Sequence, residues 1–97
     1  MRHEIVVAPE AVDDLRSLKA YDRAAAGDAI EKHLRHEPTK ESKSRIKRLR
    51  GMNRPQYRLR VGDLRIFYDV SEKSVAVLAI VSKPEASQWL KNKGEPK

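Results

Sequence analysis

Three arginines, Arg58, Arg60 and Arg65, are the residues of this sequence whose type and spacing best suit a chemical role. They lie in the segment YRLRVGDLRIFYDV, where two β-branched and aromatic runs flank a Gly62-Asp63 turn and predict a β-hairpin. That hairpin places Arg60 directly opposite Arg65, although like charges in this position destabilise a sheet. A bound phosphate would turn the repulsion into attraction, because the planar guanidinium group matches phosphate oxygens. The segment therefore predicts an anion-binding site.

The positive charge of the chain is concentrated around this hairpin. The formal net charge is +7 over 97 residues. Residues 43–65 hold nine cations against the single acid Asp63, a local net of +8, so the other 74 residues sum to −1. A focused basic stripe attracts polyanions and is typical of nucleic-acid binding. The alternative is an ordinary basic surface, which does not account for the clustering or for the preference for arginine.

Other chemistries lack the residues they need. The chain has no cysteine, which excludes a cysteine-based zinc site, a thiol nucleophile and a thiol redox function. His33 and His36 lie three residues apart without a third metal ligand nearby, so no metal site is expected. The sequence has no glycine-rich phosphate loop and no nucleophile elbow. Its first residues have too short an apolar run for a signal peptide, so we expect one cytosolic domain over residues 1–97.

The first half of the chain predicts one strand followed by two helices. A β-branched run predicts a strand over residues 3–8, and Pro9 suits the first turn of a helix after it. A second helix is expected over residues 23–35, with Asp22 as its N-cap. Apolar residues at helical spacing define the faces that we expect to be buried. These are Ala11, Val12, Leu15 and Leu18 in the first helix, and Ala26, Ala29, Ile30 and Leu34 in the second.

The strands of the second half can be registered from their turns. Across Gly62-Asp63 the predicted pairs are Val61/Leu64, Arg60/Arg65, Leu59/Ile66, Arg58/Phe67 and Tyr57/Tyr68. A second turn over residues 71–74 predicts the pairs Val70/Val75, Tyr68/Val77, Ile66/Ala79 and Leu64/Val81. Both registers give one apolar face, which the two helices are expected to cover.

The opposite face of this sheet combines cations with apolar residues. It is predicted to hold Arg58, Arg60, Arg65, Phe67, Leu78 and Ile80. Cations exposed above an aromatic and aliphatic floor suit an anion with an apolar part, such as a nucleic-acid strand. The alternative is structural, with Asp69 or Glu85 neutralising the Arg60/Arg65 pair.

The C-terminal segment predicts a short helix. Ser82 and Glu85 have the spacing of a capping box, and Gly94 is a typical helix stop. Trp89 is the only tryptophan. It could stack on a base, but a tryptophan on the apolar stripe of a helix is more often a packing residue, and we expect that role here.

Taken together, "KRLRGM", "YRLRVGDLRIFYDV" and the apolar strand "VAVLAIV" resemble the RelE/ParE superfamily of bacterial type II toxins over essentially the whole chain. The resemblance implies an α+β fold, in which a small antiparallel sheet carries an N-terminal helical hairpin on one face and a short C-terminal helix. It also implies a cognate antitoxin and a hetero-oligomeric toxin–antitoxin complex. RelE-like members cleave messenger RNA in the ribosomal A site, whereas ParE-like members poison DNA gyrase.

The resemblance also assigns residues. RelE-like toxins carry basic residues just after the tyrosine that matches Tyr57, here Arg58 and Arg60, and an arginine in the next strand, here Arg65. They carry a further arginine and a tyrosine near the C-terminus, where this chain has Lys83-Pro84 and Trp89-Leu90. Since neither Trp nor Leu transfers protons, Lys83 is the candidate acid, provided that it is buried.

The function expected from these residues is metal-independent, ribosome-dependent cleavage of messenger RNA that arrests translation. The catalytic residues would be Arg58, Arg60, Arg65 and Lys83. Cations expected to contact the neighbouring RNA backbone are Lys47, Arg48, Arg50 and Arg54. No metal or organic cofactor and no membrane partner is implied, and an acidic antitoxin segment that folds on binding would neutralise the arginines. The alternatives are a gyrase poison without nuclease activity and an inactive module that binds its antitoxin.

Overall fold

The computed structural model describes residues 2–97, which form an α+β fold with one five-stranded sheet. In chain order the elements are β1 (Glu4–Val7), α1 (Pro9–Ser17), α2 (Ala20–Ala29), β2 (Ile46–Arg48), β3 (Met52–Arg54), β4 (Tyr57–Val61), β5 (Leu64–Val70), β6 (Ser74–Ser82), α3 (Lys83–Lys93) and β7 (Glu95–Pro96). A π-helical turn, Ile30–Leu34, continues α2. No described helix is long and apolar enough to cross a membrane.

The expected α+β fold is confirmed, with the one difference that its sheet is mixed, because one of its four strand pairs is parallel. Its strand order is β1-β6-β5-β4-β2, and β1 runs parallel to β6 while the other neighbours are antiparallel. After β1, the helices α1 and α2 carry the chain across one face to the far edge, where β2 begins. The antiparallel strands β4, β5 and β6 then bring it back to β1.

The predicted pairing of β4 with β5 is confirmed at all five positions, Arg60 opposite Arg65 included. Gly62 adopts the positive φ of 56° that the first central residue of such a tight hairpin turn favours. Between β5 and β6 the first two predicted pairs are confirmed, but Ile66/Ala79 and Leu64/Val81 are wrong. A β-bulge at Leu78 shifts the register, so that Ile66 lies opposite Ile80 and Leu64 opposite Ser82.

The bulge changes which residues of β6 lie on each face. Ile80 joins the helix-covered core at 4% exposure, so its predicted place on the opposite face is wrong. The core confirms that two helices cover the apolar face. Its buried members are Ala11, Ala26, Ile30, Leu34, Ile46, Tyr57, Leu59, Leu64, Ile66, Tyr68, Val75, Val77 and Ile80.

The second helix begins three residues earlier than predicted. Lys19 is its N-cap, and Asp22, the predicted cap, lies in its first turn. The Arg23 guanidinium donates hydrogen bonds to the main-chain carbonyl groups of Leu15, Arg16 and Leu18. These carbonyl groups lie at the C-terminal end of α1, where main-chain acceptors lack the partners that a continuing helix would provide. The Arg23 side chain therefore links α2 to the end of α1.

Candidate anion-binding site

The candidate site lies on the outer face, defined here as the sheet face turned away from α1 and α2. Side chains alternate between faces along a strand, so the register places one row of residues across β2, β4 and β5 there: Lys47, Arg58 and Phe67. The next row contains Arg60 and Arg65. Lys47 and Arg60 are exposed, whereas Arg58 is partly buried. Three neighbouring strands therefore contribute cations to one surface.

The arginines on the outer face have no carboxylate partner. Within residues 2–97, the cations within 4.0 Å of a carboxylate are Arg35, Lys40 and Arg54. Arg58 is the most perturbed cation of the site, because its Nε is buried without a hydrogen-bond partner. Desolvation, followed by the neighbouring charges of Arg65 and Arg60, lowers the pKa of Arg58. A bound anion would offset both effects.

The two carboxylates that the structural alternative assigned to the Arg60/Arg65 pair are engaged elsewhere. Asp69 lies 3.4 Å from Arg54 and accepts a hydrogen bond from the Gln56 N–H at 2.8 Å. Glu85 accepts a hydrogen bond of 2.7 Å from the Ser82 hydroxyl. The structural alternative is therefore wrong for both residues.

Arg65 is not the exposed cation that the sequence predicted. It is only 6% exposed, and its Nη1 donates hydrogen bonds to the carbonyl groups of Gly62 at 3.0 Å and Leu64 at 2.9 Å. Arg65 therefore stabilises the β4–β5 turn. Its charge still contributes to the positive field at Arg58.

The apolar part of the outer face is covered, not open. Trp89 of α3 stacks on Phe67 with ring centroids 4.9 Å apart and an interplanar angle of 9°, which leaves Phe67 only 1% exposed. The expected packing role of Trp89 is confirmed, and the expected open floor is wrong. Ser82 is the N-cap of α3, but its side chain makes no capping bond to the backbone. The predicted stop at Gly94 is confirmed.

The four residues predicted to contact RNA backbone do not form one row. Lys47 lies opposite Arg58, but Arg48 points to the other side of β2, where its guanidinium carbon is 5.1 Å from the centre of the Tyr57 ring. Arg54 pairs with Asp69, and Arg50 is exposed in a turn. Only Lys47 is therefore grouped with Arg58.

The residues considered for proton transfer differ in burial, since Tyr57 and Tyr68 are buried and Lys83 is exposed. Tyr57 and Tyr68 stack in the core with centroids 5.5 Å apart, and the Tyr68 hydroxyl donates to the Pro38 carbonyl group at 2.6 Å. Their predicted place in the core is confirmed. Lys83 is exposed, so the burial on which its role as an acid depended is absent. Its N–H donates to the Asp63 carbonyl group at 2.7 Å, which holds the start of α3 beside the hairpin turn.

Arg45, to which sequence reasoning gave no role, borders this surface. The Arg60 N–H donates to the Arg45 carbonyl group at 2.9 Å, which extends the pairing of β2 and β4 by one position. The sequence does hold one signal for strand β2, since Ile46 is a single apolar residue between cations and becomes buried. A run of three strand residues was too short to be recognised among its charged neighbours.

Comparison with known proteins identifies the chain. It matches, over residues 5–86, the family model described as ParE toxin of type II toxin-antitoxin system, parDE. This chain belongs to that toxin family. The resemblance to the RelE/ParE superfamily is thereby confirmed. No curated protein matches the toxin significantly in sequence.

Solved structures show that the toxin shares the RelE-like fold. A chain of the archaeal RelE–RelB complex from Pyrococcus horikoshii OT3 superposes with a TM-score of 0.70 at 24% identity, covering 86% of the toxin and 97% of that chain. A chain of the RelB–RelE antitoxin–toxin complex from Methanococcus jannaschii gives 0.68 at 21% identity, covering 87% and 96%. A chain of the E. coli DinJ–YafQ toxin–antitoxin complex gives 0.65 at 13% identity, covering 90% and 97%.

Proposed function

We propose that this toxin arrests translation by cleaving messenger RNA on the ribosome. The observation that carries the proposal is the group of cations on the outer face, Lys47, Arg58 and Arg60, none of which has a carboxylate partner among the described residues. Such a group is suited to phosphate, whose charge would replace mutual repulsion with attraction. Arg58 and Arg60 bind the scissile phosphate, and Lys47 binds the neighbouring backbone.

The chemical contribution of these cations is electrostatic. In the proposed reaction the RNA 2′-hydroxyl loses its proton and attacks the adjacent phosphorus, while negative charge builds on the phosphoryl oxygens. The bond from phosphorus to the 5′-oxygen breaks, that oxygen takes up a proton, and a 2′,3′-cyclic phosphate remains on the upstream fragment. Cations that are already in position stabilise this charge without further reorganisation, which is often the largest single contribution to catalysis. Arg65 acts through its field rather than by contact, because its guanidinium is committed to main-chain carbonyl groups.

We propose Lys83 as a proton donor that acts only once docking on the ribosome buries it, since its side chain is exposed in the toxin alone. It lies beside the hairpin turn that separates Arg60 from Arg65. Lys83→Met is expected to slow cleavage of ribosome-bound message by about 10²-fold or more, the usual effect of losing general acid–base help. Ribosome binding should be nearly unchanged, because an acid acts mainly in the transition state.

The measurement for Lys83→Met is primer extension on ribosome-bound message, beside a ribosome-binding assay. Lys91→Met is the matched control, since Lys91 is an exposed lysine on the same helix. Undiminished cleavage by the Lys83 variant would contradict the proposal for this residue. The proton transfers would then belong to ribosomal groups.

Gyrase poisoning is the second candidate, and one observation favours it. A ribonuclease needs a group that accepts a proton, and within residues 2–97 no carboxylate forms an ion pair or hydrogen bond with Arg58 or Arg60. The two core tyrosines are buried and do not reach these arginines. Poisoning an enzyme by binding requires charge complementarity but no proton transfer.

Incorporation of labelled precursors separates the two targets. When the toxin is induced alone in cells, early loss of leucine incorporation is expected, with thymidine incorporation falling later. Early loss of thymidine incorporation would overturn the ribosomal target in favour of gyrase. Unchanged incorporation of both would indicate an inactive module that binds its antitoxin.

Antitoxin binding is expected to depend on salt. An acidic antitoxin segment would pair with exposed cations of the outer face, and such pairs are screened as ionic strength rises. The dissociation constant of the toxin–antitoxin complex should therefore increase between low and high salt, as measured by titration calorimetry. Arg60→Met should flatten that dependence. Equal affinity at both salt concentrations would argue against charge neutralisation.

A further inference from the structure

A cavity of about 240 Å³ lies at the border between the outer face and the start of α1. It is bounded by the start of α1, the bulge of β6, the segment before β4 and the outer part of α3. The residues that determine its chemistry are Pro9, Glu10, Arg54, Pro55, Trp89 and Lys93. None of the steps proposed for RNA cleavage uses Glu10 or Lys93.

The apolar walls of this cavity suit a flat ring. Trp89, which also stacks on Phe67, forms one wall, and the rings of Pro9 and Pro55 line others. Leu78 contributes because the bulge places it at the cavity rather than in the core cluster. Since sites for drug-sized ligands typically span roughly 300–1,000 Å³, this smaller volume suits a single ring system. Stacking on an aromatic side chain is the usual way in which proteins hold an unpaired base.

The charged residues of the cavity narrow the choice of base. Lys93 provides a cation that suits the phosphate of a nucleotide, whereas the second cation, Arg54, is already paired with Asp69 at 3.4 Å. Glu10 provides the one carboxylate, whose two oxygens can accept a pair of hydrogen bonds. Guanine alone among the four RNA bases presents two adjacent donors, N1–H and N2–H, on its Watson–Crick edge. The combination of wall, carboxylate and cation is therefore that of a guanine nucleotide site.

The cavity also lies beside the proposed phosphate site. Phe67 is paired directly with Arg58 between β4 and β5, and Trp89 stacks on Phe67. One face of the sheet thus presents the cations, the aromatic stack and the cavity in sequence.

We propose that this cavity binds the guanine base of an RNA nucleotide adjacent to the one held by Arg58 and Arg60. Trp89 stacks on the base, Glu10 accepts hydrogen bonds from its Watson–Crick edge, and Lys93 attracts its phosphate. The adjacency rests on the proposed RNA-cleaving function, whereas guanine binding itself does not require cleavage. The toxin would accordingly prefer messages with guanine next to the cleaved bond.

Fluorescence of the only tryptophan reports directly on this cavity. GMP added to the purified full chain is expected to quench Trp89 saturably, with a dissociation constant on the order of 1 mM. UMP should bind roughly tenfold more weakly, the low end of the discrimination that a bidentate base contact provides. Guanosine, which lacks the phosphate, should bind more weakly than GMP.

Variants separate the contributions of base and phosphate. Glu10→Gln should reduce the preference for GMP over UMP to about twofold, because the amide has only one acceptor oxygen. Lys93→Met should weaken both nucleotides about equally. The matched controls are Glu72→Gln and Lys91→Met, whose side chains are exposed and do not line the cavity.

The outcomes distinguish this site from the proposed function. Equal quenching by GMP and UMP, or an unchanged preference in Glu10→Gln, would overturn the guanine assignment. Saturable quenching by an Asp-Phe dipeptide but not by GMP would overturn it in favour of a protein partner. Message cleavage without GMP binding would overturn the site and leave the function standing, whereas GMP binding by a toxin that cleaves no message would support the site alone.

Discussion

Replacing Arg58 and Arg60 together by methionine is expected to abolish the growth arrest caused by the toxin while the protein remains folded. Each arginine is proposed to stabilise the phosphate in the transition state, and losing one such donor typically costs about 10²–10³-fold in rate. The message-cleavage rate of the double variant should therefore fall below detection by primer extension. Growth after induction of the toxin without its antitoxin provides the cellular measurement.

The same double variant should melt at an equal or higher temperature than the unmodified toxin. Arg60 faces Arg65 across the hairpin, and the Arg58 Nε is buried without a partner. Like charges opposite each other destabilise a sheet, and favourable cross-strand pairs contribute about 0.2–1 kcal/mol each, so relief of about this size is expected. Relief of that repulsion would raise the melting temperature by up to several degrees, since about 1 kcal/mol corresponds to roughly 4–8 °C in a domain of this size.

The matched control for this prediction is Arg16→Met with Lys19→Met, which removes two exposed cations from the helical hairpin. That variant should retain toxicity and melt within a few degrees of the unmodified protein. Full toxicity of the Arg58 and Arg60 double variant would contradict the phosphate site. A loss of toxicity accompanied by a large fall in melting temperature would show that the two arginines support the fold instead.

The parts of the fold that could be read from the sequence are those specified by local signals. The β4–β5 register followed from the turn at Gly62-Asp63 and from strict alternation on both sides of it. In β6 the same reasoning failed after Val77, because a continuous apolar run allows either face to be buried and gives no sign of the bulge at Leu78. Strand β2 was missed because short edge strands are often charged and lack the alternating pattern.

The candidate site was predictable in its charges but not in their exposure. Sequence reasoning found Arg58, Arg60 and Arg65 on one face, and the pairing of the strands confirms that grouping. Whether Arg65 faces solvent depends on its hydrogen bonds to Gly62 and Leu64, which no spacing rule specifies. The cavity near Trp89 could not be predicted from the sequence either, because its walls come from α1, the β6 bulge and α3, which are distant in the sequence.

Arg65 consequently calls for a different test from its neighbours. An exposed functional arginine would tolerate substitution without loss of stability, whereas this one is nearly buried and donates to two main-chain carbonyl groups. Hydrogen bonds from a charged donor contribute about 1.5–3 kcal/mol, and much of that would be lost with Arg65. Loss of toxicity in an Arg65 variant is therefore informative only beside its melting curve, which is why the double variant omits this residue.

Trp89→Ala is expected to lower the melting temperature more than any other substitution considered for the outer face. The indole stacks on Phe67 and is the main aromatic contact between α3 and the sheet. Truncating a buried tryptophan costs about 3–5 kcal/mol, and partial exposure of Trp89 reduces this to roughly 2–3 kcal/mol. Thermal unfolding followed by circular dichroism should therefore shift by roughly 10–20 °C.

Two further variants show whether packing is the reason. Trp89→Phe should recover much of the lost stability, because a phenyl ring can still stack on Phe67, whereas Lys91→Ala on the same helix should change little. A Trp89→Ala protein that melts normally would contradict the packing role.

Without the indole, α3 would be held to the fold chiefly by the Lys83 N–H bond to Asp63 and by the pairing of β7 with β3. Phe67 and the neighbouring arginines should therefore become accessible together. Faster amide hydrogen exchange in β5 of Trp89→Ala than in Lys91→Ala would measure that loss of cover.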